Sequence, residues 1–330
     1  LSINATNTTV SGNTLSGNGL DGIGIGSGTL AENATWSADE VYVLSSVTVA
    51  PGVTLTVPPG QAVKFSSTTG HLEVDGTLLA DGLPGSPIVF TSLKDDSVGG
   101  DTNGDGSASS PAADSWSGIG FMGASTGSVL DNVTVRYSGY GYDAFGSGTG
   151  GVSVYAETSG LVISESALTD GISWGIYVKN GASPTITDTL VENHNVGILL
   201  SDSSASVTGN TIQDNGSTGI SVSGTSTPTL TGNTITGNGG PAISLSINAT
   251  NTTVSGNTLS GNGLDGIQVG NGTLTENATW SADEVYVLTS FTVAPGVTLT
   301  VPPGQVVKIR SGTSRLRVDG TLLADGLPGS

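Results

Sequence analysis

The stretch SGNTLSGNGLDGI, which spans residues 11–23, occurs again letter for letter at residues 255–267. It belongs to a longer duplication, because residues 1–86 align without gaps to residues 245–330 with thirteen differences. A repeat period of 244 residues within a chain of 330 indicates a tandem array. We therefore expect this chain to be a segment of a longer repetitive protein.

A finer period of 22 to 24 residues lies inside the 244-residue unit. Its first phase follows the Asn of the GNT triplets and contains Ser166, Asp188, Asn210, Asn233 and Asn257. Five residues later, a second phase contains Gly171, Asn193, Asn215, Asn238 and Asn262. After five more residues, a third contains Ile176, Ile198, Ile220, Ile243 and Ile267. This register predicts one structural element that recurs in every repeat.

The residue types favour strands, because Val, Ile and Thr are abundant and no helical periodicity extends beyond a turn. A coil of about 22 residues cannot bury its own apolar side chains. Coils stacked about 4.8 Å apart would bury them as ladders, with Asn amides bonded from rung to rung at the corners. The predicted ladder residues are Asn210, Asn233, Asn257, Asn215, Asn238, Asn262, Ile198, Ile220, Ile243 and Ile267.

The pattern GNTI..N....GI resembles the parallel β-helix repeats of the pectate-lyase-like superfamily, especially long surface proteins of bacteria and archaea. The resemblance implies an all-β, right-handed parallel β-helix, a β-solenoid with about 22 residues per rung. At that rung length the 244-residue unit would hold roughly 11 rungs and rise roughly 50–55 Å.

The expected layout is one continuous solenoid. Residues 1–86 are interpreted as closing rungs of one unit that run into the opening rungs of the next. Residues 87–244 complete the unit and include a polar loop at 93–115, and residues 245–330 are the second copy of 1–86.

Composition narrows the choice of partners. The net charge of −19 disfavours nucleic acid and anionic membranes, because phosphate binding needs clustered Lys and Arg, of which the chain has 8. No apolar run is long enough to cross a membrane. The absence of Cys leaves the redox compartment undecided.

The loop at 93–115 contains DTNGDG, in which Asp101, Asn103 and Asp105 precede Gly106. Alternating oxygen-bearing side chains before a Gly match the first half of a calcium-binding loop. The second half departs from that pattern, because the twelfth position is Ala112. Asp95, Asp96 or Asp114 is expected to supply the missing oxygens, with Asp96 included in the predicted structural Ca²⁺ site. The alternative is a solvated acidic turn.

We expect no enzyme activity and assign no catalytic or cofactor-binding residue. Only Lys94, beside Asp95 and Asp96, is a basic residue next to an acidic cluster. The carboxylates available for hydrolysis are Asp170, Asp188 and Glu192, and Asp188 falls in the ladder phase. Both His residues, His71 and His194, are interpreted as surface residues, and each of the four Trp residues as a cap over the core at a wide turn.

Six of the thirteen differences between the copies fall within residues 65–73, which suggests surface positions that drift over a fixed core. They turn this face from neutral or acidic to basic. Asn33 and Asn277 lie in Asn-x-Thr triplets and are predicted glycosylation sites if the chain is exported.

These features predict a structural protein, an extracellular or cell-surface filament or stalk whose solenoid units stack on one another. Its partner would be itself, through end-to-end stacking or fibre assembly. One alternative is a cell-surface adhesin that binds glycans or other cells. A second alternative is a polysaccharide lyase or hydrolase.

Overall fold

A computed structural model describes residues 1–5, 10–37, 39–141, 144–146, 150–249, 251–281 and 283–327. The chain is a parallel β-solenoid of about 13 turns with about 23 residues per rung. Its helical content among these residues is two 3-10 helices, Ile3–Ala5 and Ile247–Ala249. The predicted all-β fold class is confirmed.

Short strands follow one another around each coil. The first are β1 Ile23–Ile25, β2 Gly28–Leu30, β3 Ala34–Thr35, β4 Tyr42–Leu44, β5 Ser46–Val49, β6 Thr54–Val57, β7 Ala62–Phe65, β8 His71–Val74, β9 Thr77–Asp81, β10 Ile88–Ser92, β11 Gly118–Phe121, β12 Val129–Asp131 and β13 Val133–Arg136. The next are β14 Val152–Ala156, β15 Val162–Ser164, β16 Ala167–Thr169, β17 Trp174–Val178, β18 Thr185–Thr187, β19 Leu190–Glu192, β20 Val196–Ser201, β21 Ser206–Thr208, β22 Thr211–Gln213, β23 Ile220–Ser223, β24 Thr229–Thr231, β25 Thr234–Thr236 and β26 Pro241–Leu245. The last are β27 Thr253–Ser255, β28 Thr258–Ser260, β29 Leu264–Val269, β30 Gly272–Leu274, β31 Ala278–Thr279, β32 Tyr286–Leu288, β33 Ser290–Val293, β34 Thr298–Thr300, β35 Val307–Ile309, β36 Arg315–Val318 and β37 Thr321–Leu323.

Three long parallel sheets form the walls. Sheet 1 has ten strands, from β1 and β4 through every third strand to β28. Sheet 2 has twelve, from β2 to β35, and sheet 3 has nine, from β3 to β27. Two three-stranded sheets complete the last coils: sheet 4 is β30-β33-β36 and sheet 5 is β31-β34-β37.

The core is a set of apolar ladders inside the coil. Ile176, Ile198, Ile220, Ile243 and Ile267 are register partners in adjacent strands of sheet 2. All five have no exposed surface. Because each coil buries its apolar residues only against its neighbours, this stacking is the main source of stability.

Two Asn ladders close the corners on either side of sheet 1. At the first, Asn233 Oδ1 accepts hydrogen bonds from the backbone N and from Nδ2 of Asn210, both at 3.0 Å. Asn233 Nδ2 donates to Val207 O and to Asn257 Oδ1, both at 2.9 Å. The second ladder makes equivalent bonds through Asn215, Asn238 and Asn262.

Before Asn210 and Asn215 the ladders continue through Thr189 and His194, whereas the repeat phase predicts Asp188 and Asn193 at these positions. Thr189 N donates to Asn210 Oδ1 at 3.0 Å, and His194 N donates to Asn215 Oδ1 at 3.0 Å. Asp188 and Asn193 are exposed, with φ of 47° and 57°. These residues provide the left-handed corner before the ladder position, a conformation that Asp and Asn tolerate better than most residues.

At the junction between the two copies, strands of the second copy lie in a different wall from their first-copy counterparts. Strand β29 pairs with β26 in sheet 2 and, on its other edge, with β32. The first-copy counterpart of β32 is β4, which lies in sheet 1. From β1 to its counterpart β29 the chain therefore makes nine coils plus one face, instead of the roughly 11 rungs estimated above. The estimate was too high because long loops use residues without adding coils.

Candidate functional site

Two consecutive coils carry long loops at the same corner. Most coils pass from sheet 1 to sheet 2 through one to six residues. Residues 93–117 between β10 and β11, and residues 137–151 between β13 and β14, make the same passage through much longer segments. Long loops on a rigid scaffold are the usual carriers of function. We call this region the loop corner.

Loop 93–115 is fixed to the outer face of sheet 1 by a buried lysine. Lys64 has no exposed surface, and its Nζ donates to Gly100 O at 2.8 Å and to Thr102 Oγ1 at 2.7 Å. Burial lowers the pKa of Lys64, while the nearby carboxylates of Asp95 and Asp96 oppose that shift. The loop is therefore part of the folded wall.

An ion pair between buried Asp95 and partly exposed Arg136 joins this loop to the coil that carries the second one. Asp95 is 2% exposed and lies 2.6 Å from Arg136 Nη2. Burial opposes its ionisation, but hydrogen bonds from Thr91 and Ser97 and the charge of Arg136 lower the pKa of Asp95 overall. Trp116 Nε1 also donates to Arg136 O at 2.9 Å. The two loop-bearing coils are thus held together by this ion pair and this hydrogen bond.

The predicted calcium residues converge in the loop. Carboxylate oxygens of Asp96, Asp101 and Asp105 lie within 4.8 Å of one another. Asp101 Oδ1 and Oδ2 accept from the backbone N of Asp105 and of Gly106, at 3.1 and 2.7 Å. Asp96 Oδ1, Asn103 Oδ1 and Asp105 Oδ1 are buried atoms without a hydrogen-bond partner. Buried acceptors of this kind fit a hard cation such as Ca²⁺.

Beside these oxygens lies a cavity of about 330 Å³. It is rich in hydroxyl groups, and its lining includes Ser66, Thr68, Lys94, Asn103, Asp105 and Ser109. Phe65 also contributes; it is 1% exposed and stacks on Trp116 with ring centroids 4.0 Å apart. Phe65 is therefore a core residue, and the drift between copies at 65–73 reaches the core and the cavity wall as well as the surface.

The second loop covers an aromatic cluster on the outer face of sheet 2. Phe145 stacks on Tyr155 at 5.9 Å, and Tyr155 meets Tyr177 edge-on at 5.5 Å. Trp174, partly exposed, lies 6.0 Å from Tyr177. The Tyr155 hydroxyl donates to Glu157. Composition gave no hint of this cluster, because its members are far apart in sequence.

Glu73 and Asp75 form a carboxylate pair that the sequence analysis missed. Glu73 is half-buried on β8, where its register partner is Gly120 of β11, and burial, followed by the charge of Asp75, raises its pKa. In the second copy the counterparts are Arg317 and Asp319, whose side chains meet at 2.9 Å. Side chains at these two positions therefore reach each other. The available signal was the Glu-x-Asp spacing.

The carboxylates considered from sequence are dispersed. Asp170 Oδ1 accepts from Asn193 Nδ2 at 3.0 Å at a corner, while Glu192 Oε2 accepts from Gln213 Nε2 at 2.7 Å on sheet 1. Asp188 belongs to a different corner. These hydrogen bonds to neighbouring rungs give the carboxylates structural partners and no shared cleft.

His194 is internal, contrary to the expectation of a surface residue, and three of the Trp residues are buried at turns. His194 is 4% exposed, its Nε2 lies 2.9 Å from Ser153 Oγ, and burial lowers its pKa to about 4. Trp36, Trp116 and Trp280 have no exposed surface and belong to the main core. Wide turns place these large rings inside the coil, where they fill the corners.

The predicted glycosylation sites are exposed. Asn33 Oδ1 accepts from Thr54 N at 2.9 Å, and Asn277 Oδ1 accepts from Thr298 N at 2.8 Å. No helix in the described ranges is long and apolar enough to cross a membrane.

Residues 117–279 match the protein family described as right handed beta helix region. The predicted right-handed parallel β-helix is thereby confirmed. No curated protein matches the chain. Among solved structures, the chain is similar to the enzymatically active domain of tailspike protein 2 from bacteriophage CBA120, with 13% identity and a TM-score of 0.39. That match covers 92% of this chain and 42% of the tailspike chain.

Full-length tailspike protein 2 from an Escherichia coli O157:H7 bacteriophage is also similar, with 14% identity and a TM-score of 0.37 over 85% of this chain and 39% of that one. The chain thus spans less than half the length of these tailspike proteins. The expectation that the chain is not an enzyme is corrected by this finding, because one similar structure is an enzymatically active domain. The likeness itself is one of fold.

Proposed function

We propose that the chain binds and cleaves a polysaccharide at the loop corner. The observation that carries this proposal is the pair of long loops on consecutive coils, the first of which lines a hydroxyl-rich cavity of about 330 Å³ on an otherwise regular solenoid. Ser, Thr, Asn and Asp side chains match the alternating donors and acceptors of sugar hydroxyls. The volume falls in the range of small-molecule sites.

Glu73 and Asp75 supply the chemistry in this proposal. Glycoside hydrolysis commonly uses one protonated and one ionised carboxyl group about 5 to 9 Å apart. A raised pKa keeps Glu73 protonated to higher pH, as a general acid requires, and Asp75 is the adjacent carboxylate. Glu73 would protonate the glycosidic oxygen as its bond to the sugar carbon breaks and Asp75 attacks that carbon; water that loses a proton to Glu73 would then release the sugar from Asp75 and restore both groups.

The test is a panel of capsular and extracellular polysaccharides, assayed for binding and for new reducing ends. Glu73→Gln should lower cleavage by about 100-fold or more while binding persists. The matched control is Glu165→Gln, an exposed carboxylate at another corner. Absence of binding across the panel, or full activity in Glu73→Gln, would disprove the proposal.

We propose also that loop 93–115 holds a structural Ca²⁺ through Asp96, Asp101, Asn103 and Asp105. The three buried oxygens without partners support this assignment. Saturating Ca²⁺ should protect the loop from proteolysis and raise the melting temperature of the protein. A ligand that binds only the folded state stabilises that state. Asp105→Asn should remove the effect of Ca²⁺. Mg²⁺, which prefers a tighter octahedral shell, should protect the wild-type loop less than Ca²⁺ does. If the loop were cleaved equally slowly in Ca²⁺ and in EDTA, the proposed Ca²⁺ site would be refuted.

A second candidate function is an extracellular stalk. The observation in its favour is sheet 2, which continues through the unit junction from β26 to β29 and β32. A tandem array built this way would keep sheet 2 paired across its junctions, although sheets 1 and 3 end there at β28 and β27. Nine coils and one face per unit give an axial rise of about 45 Å. Electron microscopy of fibres from the native source would show that spacing, and discrete short particles would argue against a stalk. Export would also make Asn33 and Asn277 accessible to glycosylation.

A further inference from the structure

The outer face of sheet 3 carries a two-dimensional array of hydroxyl groups. In four successive coils, strands β18, β21, β24 and β27 have Ser or Thr at their first and third positions. Strand register aligns these positions into two columns: Thr185, Ser206, Thr229 and Thr253 in the first, and Thr187, Thr208, Thr231 and Ser255 in the second. We call these residues the hydroxyl face. Coils of the chain precede and follow all four strands, so the exposure of the face does not depend on either chain end.

The hydroxyl face is held flat from inside the coil. The residues between the two columns point inward and are at most 1% exposed: Ile186, Val207, Leu230 and Val254. The first Asn ladder, through Asn210, Asn233 and Asn257, fixes the corner that follows the face. Side-chain ladders of this kind keep a many-stranded sheet from twisting. The face is therefore a regular lattice.

The hydroxyl groups are free to bind something outside the protein. Every residue of the face is at least partly exposed, and none of its side-chain hydroxyls is hydrogen-bonded to another residue in the described part of the chain. Most members are Thr, whose β-branched side chain has few χ1 states in a strand. Little side-chain entropy is thus lost when the array binds a partner.

The face carries no charge in a chain with a net charge of −19. The acid at its rim is Asp188, at the corner after β18, and the same corner in the next three coils is Gly209, Gly232 and Gly256. The four strands also contain no aromatic residue. The face therefore offers neither carboxylates for an ionic mineral nor a ring that could stack on a sugar.

The spacings of the face identify the partner. Rungs lie about 4.8 Å apart, and alternate residues along a strand lie about 6.6 Å apart. In hexagonal ice, tetrahedral hydrogen bonds of about 2.75 Å between oxygens place second neighbours about 4.5 Å apart and repeat the layers about every 7.3 Å. The two spacings of the face agree with these two repeats to within about a tenth.

We propose that the hydroxyl face binds ice. Each hydroxyl offers one donor and two acceptors, which suits the tetrahedral bonding of water. Water molecules held over the two columns would take positions close to those of a growing ice surface and join it. The inference is independent of the proposed polysaccharide cleavage, because the loop corner lies between sheets 1 and 2 and the hydroxyl face lies on sheet 3.

The test measures how much of the full chain enters ice that grows slowly on a cold surface, and how well it inhibits ice recrystallisation. The wild type should enter the ice. Thr229→Lys, at an exposed position inside the face, should be left in the liquid and should need about tenfold or more protein for the same inhibition. The bulky ammonium group would hold the lattice away from neighbouring hydroxyls.

Ser244→Lys is the matched control. Ser244 belongs to the same coil and the substitution changes the charge equally, but its strand, β26, is in sheet 2. This variant should behave as the wild type. Thermal denaturation checks that both variants fold, and Thr208→Lys, in the other column, replaces Thr229→Lys if that variant is unfolded.

Exclusion of the wild type from ice, or equal losses in the Thr229 and Ser244 variants, would overturn the inference. So would a wild-type dimer in sedimentation that Thr229→Lys dissociates, because the face would then be an interface between two copies. Adsorption to crystalline cellulose without entry into ice would overturn it in favour of a solid glycan. Cleavage by Glu73 is measured separately, so each proposal can fail without the other.

Discussion

Substitution of Asn233 by Ala should measure what an inner rung of the Asn ladder contributes to stability. Asn233 is 1% exposed. Its removal takes away the acceptor of the Asn210 backbone N, one of the two acceptors of Asn210 Nδ2 and the side-chain donor to Val207 O, all in a buried corner. A buried polar group that loses its partner costs about 1–3 kcal/mol. With partial relaxation, we expect a loss of roughly 3–5 kcal/mol in the free energy of unfolding.

The chain contains its own control for this substitution. Asn13 is the first-copy counterpart of Asn257, the residue that Asn233 contacts in the ladder, and stands in the same thirteen-residue sequence. Asn13 is exposed and bonds only to Ser11 O, at 3.1 Å, among its described contacts. Asn13→Ala should therefore change stability by about 0.5 kcal/mol or less.

Chemical denaturation should be combined with hydrogen exchange of the amides in β21 to β25. Solenoids can lose cooperativity, so the exchange data locate the destabilised rungs. We expect faster exchange at Asn210 and its neighbours in the Asn233→Ala variant. A loss below about 1 kcal/mol, or equal losses in the Asn13 and Asn233 variants, would show that the ladder bonds are not a major source of stability.

Two further predictions concern buried ionisable groups. The folded-state pKa of His194, about 4, lies below its ordinary value of 6.5, so the unfolded state binds the proton more tightly and stability should fall as pH decreases from 6.5 towards 4. His194→Asn, which places the usual ladder residue there, should flatten that part of a denaturation profile, and an unchanged slope would contradict the assignment. Lys64→Met should release loop 93–115 and speed its cleavage by protease several-fold, because the hydrogen bonds to Gly100 and Thr102 are lost. Lys308→Met, at the exposed counterpart, should have no such effect, and equal cleavage of the two variants would contradict the role of Lys64.

The sequence predicted the solenoid well because its signal is repeated in every coil. The Ile column needed no correction, since an inward position recurs with the backbone period. The two Asn columns were each misaligned by one residue in a single coil, at the corners on either side of β19. There the left-handed corner residue is Asp188 or Asn193, and the ladder residue that follows it is Thr189 or His194. Asn and Asp suit both positions, so residue type alone cannot distinguish them.

The candidate site was predicted only where one segment supplies it. The acidic loop residues are close in sequence, so Asp101, Asn103 and Asp105 could be grouped by spacing. The aromatic cluster joins Phe145 to Tyr177 across different coils, and the cavity joins Ser66 to Ser109. Such contacts depend on how each loop folds back over its wall, which no local pattern encodes.

The junction shows why identical sequences need not have identical surroundings. Residues 23–25 begin sheet 1, whereas the same positions of the second copy, in β29, continue sheet 2. A unit of nine coils and one face turns its successor by about a third of a revolution about the axis. In a tandem array, loop corners of adjacent units would then face different directions, and the same direction would recur every third unit, so that the fourth unit aligns with the first. A whole number of coils per unit would instead place all loop corners along one side, where consecutive sites could contact the same polymer. The extra face therefore determines whether such an array presents its sites in a line or around its circumference.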